Sequence, residues 1–129
     1  MRIAEVVEKY GVSADTLRYY ERIGLLPHVT RTASGIRDYS EVDCSRISFI
    51  KCMRQANVSI EALTTYMQLL DQGDDTIAER KALLEEQRSL VRQRISEMQA
   101  GLKRLDYKIE HYEDLIVQAE RDMRGHQDG

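Results

Sequence analysis

The hydrophobic positions at the start of the chain fall into short helical groups separated by turn residues. Apolar side chains recur at helical spacing from Ile3 to Tyr10 and stop at Gly11, which predicts a helix ending at this glycine. Ser13 is a favourable N-cap for a second helix, which the glycine and proline of residues 24–27 end. Two short helices joined by a tight turn predict a helix-turn-helix.

Residues 29–39 carry the next pattern. They predict two short strands around the Ser-Gly turn at residues 34–35, a small wing after the second helix. Ser40 then caps a third helix over residues 41–56. The residues of that helix available for core packing are Val42, Ile47, Phe49, Ile50 and Met53.

A fourth helix and a polar break follow. Asn57 ends the third helix, and Ser59 caps a fourth over residues 60–70. The Asp-Gln-Gly-Asp-Asp run at residues 71–75 interrupts the helical pattern. We therefore expect a head over residues 1–72, a long helix over residues 76–124 and a disordered tail over residues 125–129.

The long helix carries an apolar seam. From Val91 onward its steps alternate between four and three residues, which is the heptad spacing of a coiled coil. A helix of about 45 residues is roughly 65 Å long, so its seam needs a partner helix, most simply a second copy of the chain. The seam consists of Leu84, Val91, Ile95, Met98, Leu102, Leu105, Ile109, Tyr112, Ile116, Ala119 and Met123.

Composition places this chain among helical, non-membrane proteins. It has 129 residues, one proline and two cysteines, and no apolar run approaches the roughly 18 residues that span a bilayer. Two cysteines do not make a disulfide framework, so we expect a cytoplasmic protein. The net charge of −3 conceals an asymmetry, because residues 1–58 hold nine basic and seven acidic residues. The expected fold is all-α with a small β wing.

Basic and aromatic residues interleave between residues 13 and 39. Arg18, Tyr19 and Arg22 lie on the predicted second helix, and Arg31 and Arg37 flank the predicted turn. Cationic and aromatic side chains on a helix and an adjacent hairpin suit the phosphate backbone. They predict that the chain binds double-stranded DNA, with the second helix in the major groove.

The order of these elements, together with the runs TLRYYERIGLL, RTASGIRDY and SFIKCMRQANVSIEAL, closely resembles the MerR family of transcription regulators. The resemblance implies a winged helix-turn-helix head followed by a long dimerising coiled-coil helix. It also implies a homodimer with an antiparallel coiled coil that binds a palindrome between two promoter elements spaced too far apart. Distorting this promoter DNA realigns the elements for RNA polymerase, which is thus an indirect partner.

The family motifs, matched onto this sequence, point to five DNA-binding residues: Thr16, Arg18, Tyr19, Arg37 and Tyr39. A planar guanidinium such as that of Arg18 can bind a guanine edge or a phosphate. The hydroxyls of Tyr19 and Tyr39 can donate to phosphate oxygens.

Neighbouring positions have structural interpretations. Leu17 and Tyr20 share the spacing of the apolar face and are expected in the core. Arg22 either pairs with Glu21 or is only solvated.

Cys52 is the candidate sensor thiol. It lies in the run KCMRQANVSIEAL, which resembles the thiol-sensing branch of the family that responds to aldehydes and related electrophiles. The adjacent Lys51 and Arg54 would favour its thiolate. The alternative is a small buried hydrophobe, which is also the expectation for Cys44.

Metal, cofactor and catalytic chemistry are not expected. Family members that sense metals carry cysteines at both ends of the dimer helix, where this chain has none, and those that sense drugs append a large domain after the coil. No Ser/His/Asp set or nucleotide loop indicates an enzyme. Two alternatives remain open: a regulator of the same type without a thiol trigger, and a coiled-coil interaction adaptor with a vestigial head.

Overall fold

Helices account for nearly all of the regular structure. The computed structural model describes residues 1–27 and 29–125 and divides the chain into two compact units, Met1–Ser89 and Leu90–Gly129. The helices are α1 (Ile3–Tyr10), α2 (Ala14–Arg22), α3 (Glu41–Gln55), α4 (Ile60–Asp71), a 3₁₀ turn (Asp74–Thr76), α5 (Ile77–Glu110), a π-helical segment (Tyr112–Ile116) and α6 (Val117–Arg124).

The helix boundaries follow the predicted capping residues. The Ser13, Ser40 and Ser59 side chains each accept a hydrogen bond from the backbone N–H three residues later. Gly11 ends α1 in the left-handed conformation with φ of 68°, and Asn57 follows α3 with φ of 69°. Both residues tolerate this conformation better than branched residues. The local signals therefore confirm the four predicted helices of the first unit.

The core of the first unit gathers one face from each of these helices. Leu17 and Tyr20, predicted as core residues, are buried, as is Met67 on α4. Val42 is not in the core as expected but 65% exposed, because α3 turns its Ile47 and Ile50 inward instead. The side chains that are almost fully buried are Val6, Leu17, Leu25, Leu26, Ile47, Ile50, Leu63 and Met67.

The predicted wing is a tight turn with little strand. Within residues 1–27 and 29–125, its only strand pairing is a single antiparallel bridge between Arg31 and Arg37. The turn is instead held by the Thr32 side chain, whose hydroxyl accepts from the Ile36 N–H at 3.1 Å, and by a backbone bond from Gly35 to Thr32 at 2.9 Å. Gly35 has φ of 85°, which a glycine adopts without strain. The hydrogen bonds of the wing thus lie mostly within its turn, and the strands on either side stay short.

The predicted single helix over residues 76–124 is interrupted. It consists of α5, a π-helical segment and α6, with the change at His111, where φ is −110° and ψ is 34°. The ring Nδ1 of His111 lies 2.9 Å from the Tyr107 carbonyl, one turn earlier. A π segment inserts one residue into the helical repeat, so the seam changes register here. Of the predicted tail, residues 126–129 lie outside the described part of the chain.

Candidate nucleic-acid interface

The four consecutive side chains of residues 17–20 on α2 divide between its exposed and its buried face. Arg18 and Tyr19 are exposed, whereas Leu17 and Tyr20 are buried. Arg18 makes an exposed ion pair with Asp15 at 3.3 Å, a contact of little energetic weight in water. Arg18 and Tyr19 are thus accessible for recognition on a helix whose opposite face is fixed in the core.

Thr16 has a structural contact at the start of this helix. Its hydroxyl accepts from the Ser13 hydroxyl at 2.8 Å, and its backbone N–H donates to the same Ser13 oxygen at 3.1 Å. The half-buried Thr16 side chain is therefore part of the N-cap of α2.

The Tyr19 ring lies against a cation. The guanidinium carbon of Arg22 is 5.4 Å from the centre of that ring, within cation–π range. Of the two interpretations of Arg22, the pair with Glu21 is not the one formed, since Glu21 pairs with other residues. Arg22 instead covers an aromatic ring on the exposed face of α2.

Glu21 joins α2 to the wing. One carboxylate oxygen accepts from Arg31 Nη2 at 2.5 Å, and the other accepts from Arg37 Nε at 2.9 Å. This arrangement is not among the contacts predicted from the sequence. Glu21 next to Arg22 indicated a local pair, and nothing in the sequence spacing indicates a carboxylate shared by two arginines of a hairpin.

The Tyr39 side chain is buried, although a DNA contact was predicted for it. It is 3% exposed, and its hydroxyl has no hydrogen-bond partner among residues 1–27 and 29–125. Burial raises the pKa of Tyr39, and the charge of Arg37 opposes this effect, as do those of Arg18 and Arg31. The Tyr39 backbone N–H donates to the Met1 carbonyl at 2.7 Å.

Asp43 organises the entry to α3 and is a residue that the sequence analysis missed. It is 6% exposed, and its Oδ2 accepts from the backbone N–H groups of Ser40 and Thr30 at 2.9 and 3.2 Å. Although burial acts in the opposite direction, these hydrogen bonds hold the pKa of Asp43 below its usual value. The S-x-x-D spacing from Ser40 is the signal that could have found this capping box.

The two cysteines differ in accessibility. Cys44 is buried and Cys52 is exposed, and both are free thiols. Lys51 and Arg54, the cations expected to favour the Cys52 thiolate, each hydrogen-bond to a backbone carbonyl. The Lys51 ammonium donates to the Tyr10 carbonyl, and Arg54 Nη1 donates to the Val58 carbonyl at 2.8 Å. Both cations on α3 thus bind backbone carbonyls at neighbouring turns.

Membrane and metal sites are absent from the part of the chain that the structure describes. None of its helices is both long and apolar enough to cross a bilayer. The same residues contain no group of three or more His, Cys, Asp or Glu side chains placed to hold a metal ion.

Comparison with known proteins gives a consistent assignment. The family model described as MerR HTH family regulatory protein matches residues 1–70, and the model described as MerR, DNA binding matches residues 44–108. The HTH-type transcriptional regulator AdhR of Bacillus subtilis is 54% identical over 88 residues, which span 68% of this chain and 63% of that relative.

Two solved structures extend the similarity over at least 90% of the chain. A Listeria monocytogenes protein assigned to the MerR family has 44% sequence identity and a TM-score of 0.75, covering 96% of this chain and 94% of that one. HiNmlR, a MerR family regulator lacking the sensor domain and bound to promoter DNA, has 34% identity and a TM-score of 0.70, covering 90% and 92%. The chain therefore belongs to the MerR family of helix-turn-helix transcription regulators, whose members are DNA-binding proteins and not enzymes.

Proposed function

We propose that this chain is a dimeric promoter-binding transcription regulator that reads DNA with α2 and the wing. The observation that carries the proposal is that Glu21 of α2 binds both Arg31 and Arg37 of the wing, which places the wing beside the helix that exposes Arg18. The guanidinium groups of Arg18 on α2 and Arg37 in the wing suit a guanine edge and a phosphate. HiNmlR, bound to promoter DNA in its solved structure, supports promoter DNA as the ligand.

The contacts we assign are those predicted from the sequence. Arg18 and Tyr19 contact the major groove or its flanking phosphates, and Thr16 orients the start of their helix. Arg37 contacts the backbone from the wing. We also assign Tyr39 a phosphate contact; because its hydroxyl is buried in the free protein, binding must first expose it, and the phosphate would then give it a partner.

The second unit supports a dimer with another copy of this chain. Most of its seam residues are exposed in the single chain, including Ile95 at 49%, Leu102 at 58% and Ile109 at 66%. Ile95 and Leu102 border an apolar groove of about 840 Å³ that also includes Met98 and Leu105. Apolar residues at heptad spacing are stable in water when a partner helix covers them. We therefore propose a homodimer through α5, the π segment and α6.

A dimer allows the protein to act on DNA shape. Two heads held at a fixed distance bind a palindrome and set the twist between its half-sites. We propose that this distortion realigns promoter elements for RNA polymerase in the cytoplasm. A footprint of the dimer on promoter DNA, two-fold symmetric and with enhanced cleavage at its centre, is the expected result. A footprint confined to one half-site would contradict this mechanism.

We further propose that Cys52 is the trigger for this switch. Its exposed thiol can add to an aldehyde: the sulfur gives its proton to water and bonds to the carbonyl carbon, the carbonyl π electrons move to oxygen, and that oxygen takes a proton from water. Cys52 lies on α3 between Lys51, which binds the Tyr10 carbonyl, and Arg54, which binds the Val58 carbonyl. A bulky adduct between these two anchors would move one against the other.

The trigger and the regulator are separable. A Cys52→Ala variant that still switches transcription normally with aldehyde would contradict the thiol trigger and leave DNA binding intact. The alternative is a regulator of the same type without a thiol trigger, in which Lys51 and Arg54 only anchor α3 to the Tyr10 and Val58 carbonyls.

A further inference from the structure

We propose that Glu21 is a positioning residue for DNA binding, which fixes the Arg37 guanidinium so that its terminal nitrogens can bind a phosphate of the DNA backbone. The inference rests on the proposed function and adds a residue that no DNA-contact motif of the sequence pointed to. Glu21 is a carboxylate among the cations of a surface that we propose binds DNA, and its negative charge repels the phosphates.

The Glu21 side chain is a tether that connects α2 to both sides of the wing. It lies near the end of α2, its side chain is only 18% exposed, and each of its oxygens accepts from a different wing arginine. Arg31 and Arg37 also face each other across the single bridge of the wing. Like charges directly opposite each other destabilise a strand pair. A shared carboxylate relieves this repulsion and joins both sides of the wing to the recognition helix.

The two arginines are used differently. One terminal nitrogen of Arg31 donates to Glu21, and the other donates to the Gly35 carbonyl at 3.4 Å. Arg37 binds Glu21 through Nε, and within residues 1–27 and 29–125 its two terminal nitrogens make no hydrogen bond. Those two nitrogens form the edge of a guanidinium that binds a phosphate in a bidentate manner. Arg37 is therefore held by one edge and has another edge left for a ligand.

Two roles of Glu21, positioning Arg37 or only adding a negative charge, predict opposite changes in DNA affinity when the charge of Glu21 is removed. If Glu21 acted only as a negative charge, its neutralisation would strengthen binding to any duplex, because a repulsive charge is lost. If Glu21 positions Arg37, neutralisation weakens binding to the specific duplex, where the contact geometry matters, and not to a scrambled duplex. The sign of the change in affinity for the specific duplex therefore separates the two roles.

The test uses the full chain and a duplex enriched by the wild-type protein from a random library, with a scrambled duplex of equal length as the non-specific probe. For Glu21→Gln we expect about tenfold weaker binding to the enriched duplex and unchanged or tighter binding to the scrambled one. The charge-matched control is Glu8→Gln, an exposed position on α1, for which binding to the enriched duplex should not weaken.

A double-mutant cycle identifies the partner. In an Arg37→Ala background, Glu21→Gln should change binding to the enriched duplex by less than about twofold, since the group it positions is gone. Glu21→Asp, which keeps the charge, should recover part of the affinity, and this variant also serves the cycle if Glu21→Gln does not fold. An undiminished effect in the Arg37→Ala background, or enriched-duplex binding by folded Glu21→Gln as tight as wild type, would overturn the inference alone. Failure of the wild-type protein to enrich any duplex would overturn the proposed function and the inference with it.

Discussion

Gln87 and Ser59 are joined by a hydrogen bond that fastens α5 to the start of α4. The buried Gln87 side-chain oxygen accepts from the Ser59 backbone N–H at 3.0 Å, and the Ser59 hydroxyl accepts from the Ala62 N–H. The preceding residue, Val58, accepts from Arg54 of α3. The helix that carries Cys52 is thus linked to α5 through one short turn.

Loss of the Gln87 amide should destabilise this connection. Gln87→Ala leaves the Ser59 N–H without its acceptor, which costs about 1–3 kcal/mol of the free energy of unfolding. Urea denaturation at one fixed protein concentration measures it. The control is Gln93→Ala, an exposed glutamine of the same helix. Equal stability of the two variants would show that the bond contributes nothing.

The contribution of Asp43 to stability should depend on pH. Its pKa is lowered in the folded protein, so the stability it adds is fully present above its unfolded-state value of about 3.9 and disappears as the pH falls through the lower folded value. Asp43→Asn should therefore be less stable than wild type at pH 7, and the difference should shrink in acid. Exposed Glu41→Gln, on the same turn of α3, is the control. A difference that stays constant with pH would contradict this explanation.

The exposed seam predicts the effect of a charge on assembly. Leu102→Asp places a carboxylate in the groove between Met98 and Leu105, where a partner helix would desolvate it, so the variant should be a monomer in analytical ultracentrifugation. Lys103→Asp changes an exposed neighbour outside the seam and should remain a dimer. A monomeric wild-type chain at micromolar concentration would refute the proposed interface.

The accessibility of the thiols predicts their reactivity. Cys52 is exposed and Cys44 is buried, and thiol modification depends on access as well as on the thiolate fraction. Alkylation followed by peptide mass spectrometry should label Cys52 at least about tenfold faster than Cys44. Cys52→Ser should remove the fast phase, and Cys44→Ser should leave it. Comparable rates at the two sites would remove the basis for Cys52 as a sensor.

Local elements of this fold are predictable from the sequence, and the contacts between elements are not. Serine caps and the glycine after α1 specify helix ends through nearby backbone groups, so their positions follow from sequence. The Glu21 tether depends on where the wing lies relative to α2, which residue spacing does not encode. The π segment at Tyr112–Ile116 changes the backbone register, whereas the heptad pattern continues through it unchanged.

The residues of the candidate site also divide into those that the sequence predicts and those that it does not. Arg18 and Tyr19 were predicted from the family resemblance and from their place on the second helix, and both are exposed. The burial of Tyr39 could not be predicted, because it results from packing of the segment after the wing against the N-terminus.

Arg18 should contribute more to DNA binding than any charge of the long helix. Arg18→Ala should weaken binding to the enriched duplex by about 1–3 kcal/mol. Arg92→Ala, which removes an exposed charge on α5, should have little effect. Fluorescence anisotropy at one salt concentration measures both. Equal losses would indicate a general charge effect and not recognition by α2.

The salt dependence of binding to the enriched duplex tests the central claim, that two arginine-bearing heads bind one DNA site, most directly. For the wild-type dimer, the logarithm of the association constant should fall linearly with the logarithm of salt concentration, by about 0.9 for each phosphate neutralised. The monomeric Leu102→Asp variant should show about half that slope, because only one head binds. A wild-type affinity that does not change with salt, or equal slopes for the dimer and the monomer, would contradict the account.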